Sequence, residues 1–225
     1  MSAAETVLRT KLAVLISGEG SNLQAILDAC ASGALPAEVC AVISNRAAAP
    51  GLRRALAVNV PVHTIQAASQ TERADYDMAL RILIESHNPQ LILLAGFMRI
   101  LSDDFVRHFR GRLLNIHPAL LPKYRGLHTH RQVLEAGERE HGCSVHFVTE
   151  ELDGGPVIAQ AKVPVWTDDT EASLAARVRE REHALYPLVV CWLAEGRVKL
   201  NADRVSFDGQ PLTGPRVFGI NEDIM

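Results

Sequence analysis

The chain has 225 residues, 48 % of them apolar and 22 % charged, with a net charge of −3. This length buries a core in one generous domain or two small ones. The mild acidity excludes a protein that grips nucleic acid or anionic lipid through an overall basic field, so an anionic ligand must be held by a local site.

Leu12–Ile16 is a continuous apolar run, the pattern of a strand buried on both faces of a parallel sheet. It leads into Ser17-Gly18-Glu19-Gly20-Ser21-Asn22, after which Leu23, Ile26, Leu27 and Cys30 recur at helical spacing. Val39–Ser44 reads as a second strand, Ala47–Val58 as a helix and Pro61–Ile65 as a short third strand. Glu72–Ser86 is predicted helical, with Tyr76, Leu80, Ile82, Leu83 and Ile84 as its apolar positions, and Leu91–Ala95 is a further strand. Ser102 offers an N-cap with Asp103 and Asp104 in the first turn, predicting a helix over Asp103–Phe109 before a strand over Arg112–Ile116. This alternation predicts an α/β fold: a Rossmann-like open, mostly parallel sheet with helices on both faces.

The rhythm changes after His117. Pro118, Pro122 and Gly126 break the chain into an irregular loop before a short helix over Thr129–Ala136. Gly142–Val148 sets Cys143, Val145 and Phe147 against Ser144 and His146, as a strand with one polar face would. Asp153-Gly154-Gly155 joins it to a strand over Val157–Val165, predicting an antiparallel C-terminal strand addition to the sheet. Thr170 caps a long helix reaching Glu195, with Glu171 in its first turn, and Val198–Leu200 with Arg204–Ser206 suggests a hairpin. Residues 201–225 suggest no function. No repeat or low-complexity linker occurs, so residues 1–225 read as a single domain with a core over about 12–200.

The four cysteines, Cys30, Cys40, Cys143 and Cys191, form no C-x-x-C pair, which suits a reducing compartment. Met1–Arg9 is too polar for a signal peptide and Leu12–Ile16 far too short to span a bilayer, so the expectation is a cytoplasmic protein that binds neither nucleic acid nor membrane.

Gly18-x-Gly20 at a strand-to-helix turn resembles a dinucleotide loop, but Leu23 occupies the third glycine position and the second strand ends in Ser44-Asn45, without a ribose-binding acid. Two readings stand: a cradle in which the amides of Gly20, Ser21 and Asn22 hold a single phosphate at a helix N-terminus, or a tight turn with Ser21 as cap. Asn115 and His117, two apart at a strand end, share one face. An amide and an imidazole aimed at one point can polarise a carbonyl and stabilise an oxyanion, and histidine carries a proton near neutral pH. Asp153 is the best candidate to orient and charge the imidazole. The competing reading is polar residues capping a strand. His128-x-His130, with His117, His141 and His146 nearby, offers zinc-type ligands without H-E-x-x-H or a Cys/His cluster, which favours loop and site-lining histidines. His63, His87, His108 and His183 have no evident partner and read as surface or capping residues.

Together, Ile16-Ser17-Gly18-Glu19-Gly20-Ser21-Asn22-Leu23-Gln24, Leu94–Leu101, Leu114-Asn115-Ile116-His117-Pro118, His128-Thr129-His130, His141–Val148 and Glu151-Leu152-Asp153-Gly154-Gly155-Pro156 resemble the phosphoribosylglycinamide formyltransferase family, over about Leu12 to Leu200. The resemblance implies transfer of a formyl group from 10-formyltetrahydrofolate, as co-substrate, to glycinamide ribonucleotide in purine biosynthesis. It implies that Asn115, His117 and Asp153 are catalytic, that Gly20, Ser21 and Asn22 bind the substrate phosphate, and that Glu182 contacts the ribose. Met98, Arg99, Ile100 and Leu101, with Asn115 and the loop Thr149, Glu150, Glu151, Leu152 and Asp153, would line the folate site, and Arg73 would meet the folate's glutamate tail. No metal is required, and the assembly would be a monomer or homodimer.

The chain departs from the family pattern at Ala119, where a serine is usual, and at Arg125, where a proline is usual. The first removes a hydroxyl from the loop. The second frees a torsion and adds a charge, which predicts a looser loop. Three rivals remain. Formyltetrahydrofolate deformylases carry an additional N-terminal domain, for which the strand beginning at Leu12 leaves no room. Methionyl-tRNA formyltransferases carry an RNA-binding C-terminal domain, against which about 25 residues follow Leu200. A non-catalytic nucleotide-binding module would keep the glycine loop but not the three polar residues.

Overall fold

The computed structural model describes residues 9–66 and 73–224. In chain order the elements are β1 (Thr10–Ile16), α1 (Ser21–Ser32), β2 (Ala37–Ser44), α2 (Gly51–Ala57), β3 (Val62–Thr64), α3 (Arg73–Ser86), β4 (Leu91–Leu94), α4 (Asp103–His108), β5 (Leu113–His117), α5 (Thr129–Glu135), β6 (Glu140–Phe147), β7 (Val157–Pro164), α6 (Glu171–Ala194), β8 (Val198–Asn201), β9 (Arg204–Phe207), β10 (Gln210–Pro211) and β11 (Arg216–Phe218). Eight strands form one sheet in the order β11-β7-β6-β5-β4-β1-β2-β3, and β10-β9-β8 form a small second sheet.

β1 pairs in parallel with β2 on one side and β4 on the other, so the strand order reverses between β1 and β4. In open α/β sheets, a crevice for ligand opens at such a point, beyond the strand carboxyl ends. Ser17 ties the two loops that leave it: its amide donates to Gly96 O at 3.1 Å and its hydroxyl accepts from Met98 N at 2.7 Å.

The apolar run in β1 is explained by burial on both faces. Leu12, Val14 and Ile16 pack with Leu23, Ile26 and Leu27 of α1 and with Leu174, Val178, Leu185 and Val189 of α6. Ala13 and Leu15 face the other way, toward Tyr76, Leu80 and Ile84 of α3 and Phe105 and Val106 of α4. Tyr186 of α6 is fully buried and its hydroxyl proton is shared between Leu94 O (3.2 Å) and Leu114 O (3.3 Å), which seats α6 over β4 and β5.

The predicted antiparallel addition is present: β5 pairs with β6 and β6 with β7 in antiparallel fashion. Thr170 caps α6, its side chain accepting from Ser173 N while the Ser173 side chain accepts from Thr170 N. Three expectations need correction. α2 begins at Gly51 rather than Ala47, with Pro50 as its N-cap, because proline favours a helix start, where its missing N–H costs nothing. The Ser144/His146 face of β6 is buried rather than solvated, since it faces a loop and the site. The tail adds β11 in parallel to the exposed edge of β7, a strand of three residues that is too short to show a period.

Candidate active site

β5 alternates Leu114 and Ile116 into the α6 side of the sheet, leaving Asn115 and His117 on the opposite face. Across the antiparallel pair, Asn115 stands opposite His146 and His117 opposite Ser144, so four polar side chains share one patch. His146 Nδ1 lies 2.9 Å from Phe147 O. A carbonyl only accepts, so Nδ1 carries the proton and Nε2 is left to accept from Asn115 Nδ2 at 3.2 Å. Burial above all drives the His146 imidazole down to about 4, opposed by its bond to Phe147 O and by Asp153, so it is neutral near pH 7. The Asn115 amide is thereby oriented, with its second N–H available for a ligand oxygen.

His117 donates from Nε2 to Tyr124 O at 2.9 Å, and its Nδ1 stands 3.5 Å from Asp153 Oδ2. Both ring nitrogens thus face oxygen acceptors, an arrangement that an imidazolium satisfies. Asp153 Oδ2 also accepts from Gly126 N at 2.9 Å, and Oδ1 lies 3.8 Å from His146 Nε2. Asp153 adopts a left-handed backbone (φ 48°), which aspartate tolerates better than bulkier residues. Of the two following glycines, Gly155 is required sterically, since it abuts backbone, while Gly154 abuts a side chain that can move. A Cβ on Gly154 would sit 2.4 Å from the Glu151 carboxylate, and one on Gly155 would sit 1.9 Å from Phe147 O. The structure therefore brings Asn115, His117 and Asp153 together and adds His146. Sequence reading treated His146 as a strand residue or one of several possible ligands; its signal was its register, opposite Asn115.

Gly20 is the left-handed N-cap of α1 (φ 68°), and no side chain caps that end, so Ser21 is not the cap. The first-turn amides have no carbonyl four residues back to bond, which leaves them for an anion. The loop is braced from α2. Gly51 N donates to Gly18 O at 3.0 Å, Arg54 Nε donates to Glu19 O at 2.8 Å, and Gly20 and Gly51 approach so closely that a Cβ on Gly20 would lie 2.8 Å from Gly51 Cα. Asn22 Nδ2 donates to Glu182 Oε2 at 2.9 Å, while Asn22 Oδ1 is buried with no hydrogen-bond partner among the described residues. Burial pushes the Glu182 carboxyl up to about 6, against the opposing pull of Asn22 and Arg179.

Met98, Ile100, Leu127 and Leu152 are large apolar side chains, each more than half exposed, on segments that leave the sheet beside Asn115. Of these, Met98, Ile100 and Leu152 belong to the expected folate lining, and their exposure leaves them accessible to a ligand. Thr149 is half-buried at the base of the β6–β7 loop, while Glu150 and Glu151 are exposed. The Leu101 side chain packs into the α3–α4 core, and the Arg99 guanidinium lies over the Tyr76 ring, 4.0 Å from its centroid, so at these two positions the backbone rather than the side-chain end is what faces outward for a ligand to meet. The side chain of Arg73 lies outside the described residues.

Five of the other histidines have partners: His63 and His87 meet at 2.9 Å, His108 meets Glu85 at 2.6 Å, and His130 Nδ1 meets His141 Nε2 at 3.0 Å, whereas His183 Nε2 is buried with no hydrogen-bond partner among the described residues. The expected loss of a hydrogen bond at Ala119 is met from β6 and β7. Ser144 Oγ donates to Ala119 O (2.6 Å) and accepts from Leu121 N (3.1 Å), and Gln160 Nε2 donates to Leu121 O (2.8 Å). Arg125, expected to loosen its loop, is ion-paired with Glu151.

Residues 10–190 match the Formyl transferase family. The chain is 57 % identical over 201 residues to the phosphoribosylglycinamide formyltransferase of Escherichia coli (strain K12), covering 89 % of this chain and 95 % of that one. The solved phosphoribosylglycinamide formyltransferase from Coxiella burnetii is similar with a TM-score of 0.88 and 48 % identity, over 93 % of this chain and 99 % of that one. A formyltetrahydrofolate deformylase from Pseudomonas putida is similar at a TM-score of 0.81 and 28 % identity, over 91 % of this chain and 72 % of its own.

Proposed function

The chain belongs to the Formyl transferase family, and from that premise we propose that it transfers a formyl group from 10-formyltetrahydrofolate to the amine of glycinamide ribonucleotide, giving formylglycinamide ribonucleotide and tetrahydrofolate in purine biosynthesis. One observation carries the choice of a nucleotide rather than water as acceptor. The buried Asn22–Glu182 pair stands beside the Gly20–Asn22 cradle, with an unpaired Asn22 oxygen waiting for a donor such as a ribose hydroxyl. A deformylase has no use for such a subsite.

The cradle follows β1 and Asn115 lies in β5, with only β4 between the two strands, a lateral span of about 10 Å. A ribosyl phosphate held at one end extends its amine toward the other. The co-substrate supplies an activated formyl carbonyl. Asn115 donates its free N–H to the carbonyl oxygen as the amine attacks, and His117 stands beside the developing oxyanion, adding positive charge when it carries a second proton. Asp153 orients His117 and takes up the amine's proton through water, and the tetrahedral intermediate collapses as the bond from the formyl carbon to the folate nitrogen breaks and that proton passes on to the leaving nitrogen of tetrahydrofolate. Holding both reactants in register supplies much of the remaining acceleration.

Among the described residues no helix is long and apolar enough to cross a membrane. We place the reaction in the cytoplasm, within one formyltransferase domain. The deciding experiment incubates purified protein with glycinamide ribonucleotide and 10-formyltetrahydrofolate and follows the absorbance of the folate product. Nucleotide-dependent turnover supports the reading; formate release without nucleotide replaces it with deformylase activity.

A further inference from the structure

Three consecutive residues in the β5–α5 loop each touch the candidate catalytic pair or its loop. Tyr124 O accepts from His117 Nε2, Arg125 pairs with Glu151, and Gly126 N donates to Asp153 Oδ2. The two flanking residues have left-handed backbones, Tyr124 at φ 56° and Gly126 at φ 79°. For tyrosine this conformation is unfavourable and persists only where neighbours hold it.

The segment is fastened at both ends. The Tyr124 hydroxyl (2.9 Å) and Lys123 Nζ (2.6 Å) donate to Glu138, and Gln132 Nε2 donates to Leu127 O at 2.7 Å. Its centre is held by the two bonds to His117 and Asp153 themselves and, outside that pair, by Arg125. The partner is equally well placed, because the absence of a side chain at Gly154 leaves the space in which the Glu151 carboxylate sits. The Arg125–Glu151 pair therefore links the loop that aims His117 to the loop that carries Asp153.

We propose that Arg125 is a positioning residue whose ion pair with Glu151 latches Tyr124–Gly126 over the β6–β7 loop and so fixes the hydrogen bonds that aim His117 and Asp153. Arg125 acts through these neighbours and does not touch the reacting atoms. The proposal rests on the reading of His117 and Asp153 as the reacting pair. Part-exposed ion pairs are weak, so the latch is a tuning device worth a few-fold in rate.

The test compares Arg125→Ala, Glu151→Ala and the double variant by steady-state kinetics, together with hydrogen exchange of the Gly126 amide followed by NMR. The latch predicts that each single variant lowers kcat by about two- to fivefold. The double variant should be no slower than either single, and the Gly126 amide should exchange faster in all three. Losses that multiply in the double variant overturn the proposal, as does an unchanged kcat. So does a rise in KM for the formyl donor in Arg125→Ala that Glu151→Ala does not share, which means direct contact of Arg125 with the co-substrate. The exchange measurement needs no activity, so it reads the latch even if the protein proves not to transfer formyl groups; unchanged Gly126 exchange in Arg125→Ala sinks the latch alone.

Discussion

Asn115 Nδ2 donates to His146 Nε2 across the β5–β6 pair, so a neutral histidine decides which way the amide points. If Asn115 stabilises charge on the formyl oxygen, Asn115→Ala should lower kcat by about 100- to 1000-fold with little change in either KM. His146→Leu keeps an apolar volume but removes the acceptor. It should cost up to about tenfold in kcat, the worth of one neutral hydrogen bond. Steady-state kinetics on both variants check this; a fully active His146→Leu enzyme would mean that Asn115 is aimed by something else.

Stability should fall in mild acid. His141 and His146 are both driven down to about 4, chiefly by burial, while an unfolded histidine titrates near 6.5. Between those values the unfolded chain binds protons that the folded chain refuses. Stability is therefore complete above about pH 6.5 and declines as pH drops toward 4, by roughly 1.4 kcal/mol per pH unit for each histidine. Urea midpoints at pH 7, 6 and 5 measure the slope. His141→Asn should flatten it, and an unaltered slope in that variant would remove His141 from the account.

Glu182 gives a second pH signature, in binding. Its carboxyl is raised by burial to about 6, so it is ionised at pH 7.5 and increasingly neutral below 6. As a carboxylate it accepts from Asn22 and, in the proposed complex, would accept from a ribose hydroxyl; protonated, it accepts more weakly. KM for the nucleotide should rise as pH falls through 6, and Glu182→Gln should raise it by about tenfold at pH 7.5 and abolish that dependence. A Gln variant that keeps the wild-type pH profile would refute the contact.

The strands and helices of the parallel half were legible because burial on both faces leaves a continuous apolar run, as in Leu12–Ile16, and one-faced burial leaves helical spacing, as in Leu23, Ile26 and Leu27. Asn115 and His117 were legible as a pair because alternation is local. Their link to Asp153 is not local, spanning 36 residues of loop, helix and strand, so Asp153 was legible only as a candidate partner until the family resemblance pointed to it. His146 was hidden because nothing local fixes the register of β6 against β5. The turn of Arg99 onto Tyr76 and the pairing of Arg125 with Glu151 depend on side-chain packing between distant segments, which carries no periodic signal. β11 was missed because an edge strand of three residues is defined by its partner β7 rather than by its own pattern.

The phosphate cradle should be sensitive to a single methyl group. Gly20 has φ 68°, and an added Cβ would lie 2.8 Å from the backbone of Gly51, which cannot swing away as a side chain would. The backbone conformation alone costs about 1–2 kcal/mol in an alanine, and relief of the clash requires the loop to part from α2. Gly20→Ala should therefore lower the urea midpoint and raise KM for the nucleotide by at least tenfold, while KM for the formyl donor stays within twofold because Met98, Ile100 and Leu152 are untouched. Gly18 provides the contrast: a Cβ there meets nothing within 4 Å, so Gly18→Ala should keep the wild-type urea midpoint. Equal effects of the two substitutions on stability, or a Gly20→Ala defect shared by both substrates, would show that the cradle is not built by the close approach of Gly20 and Gly51.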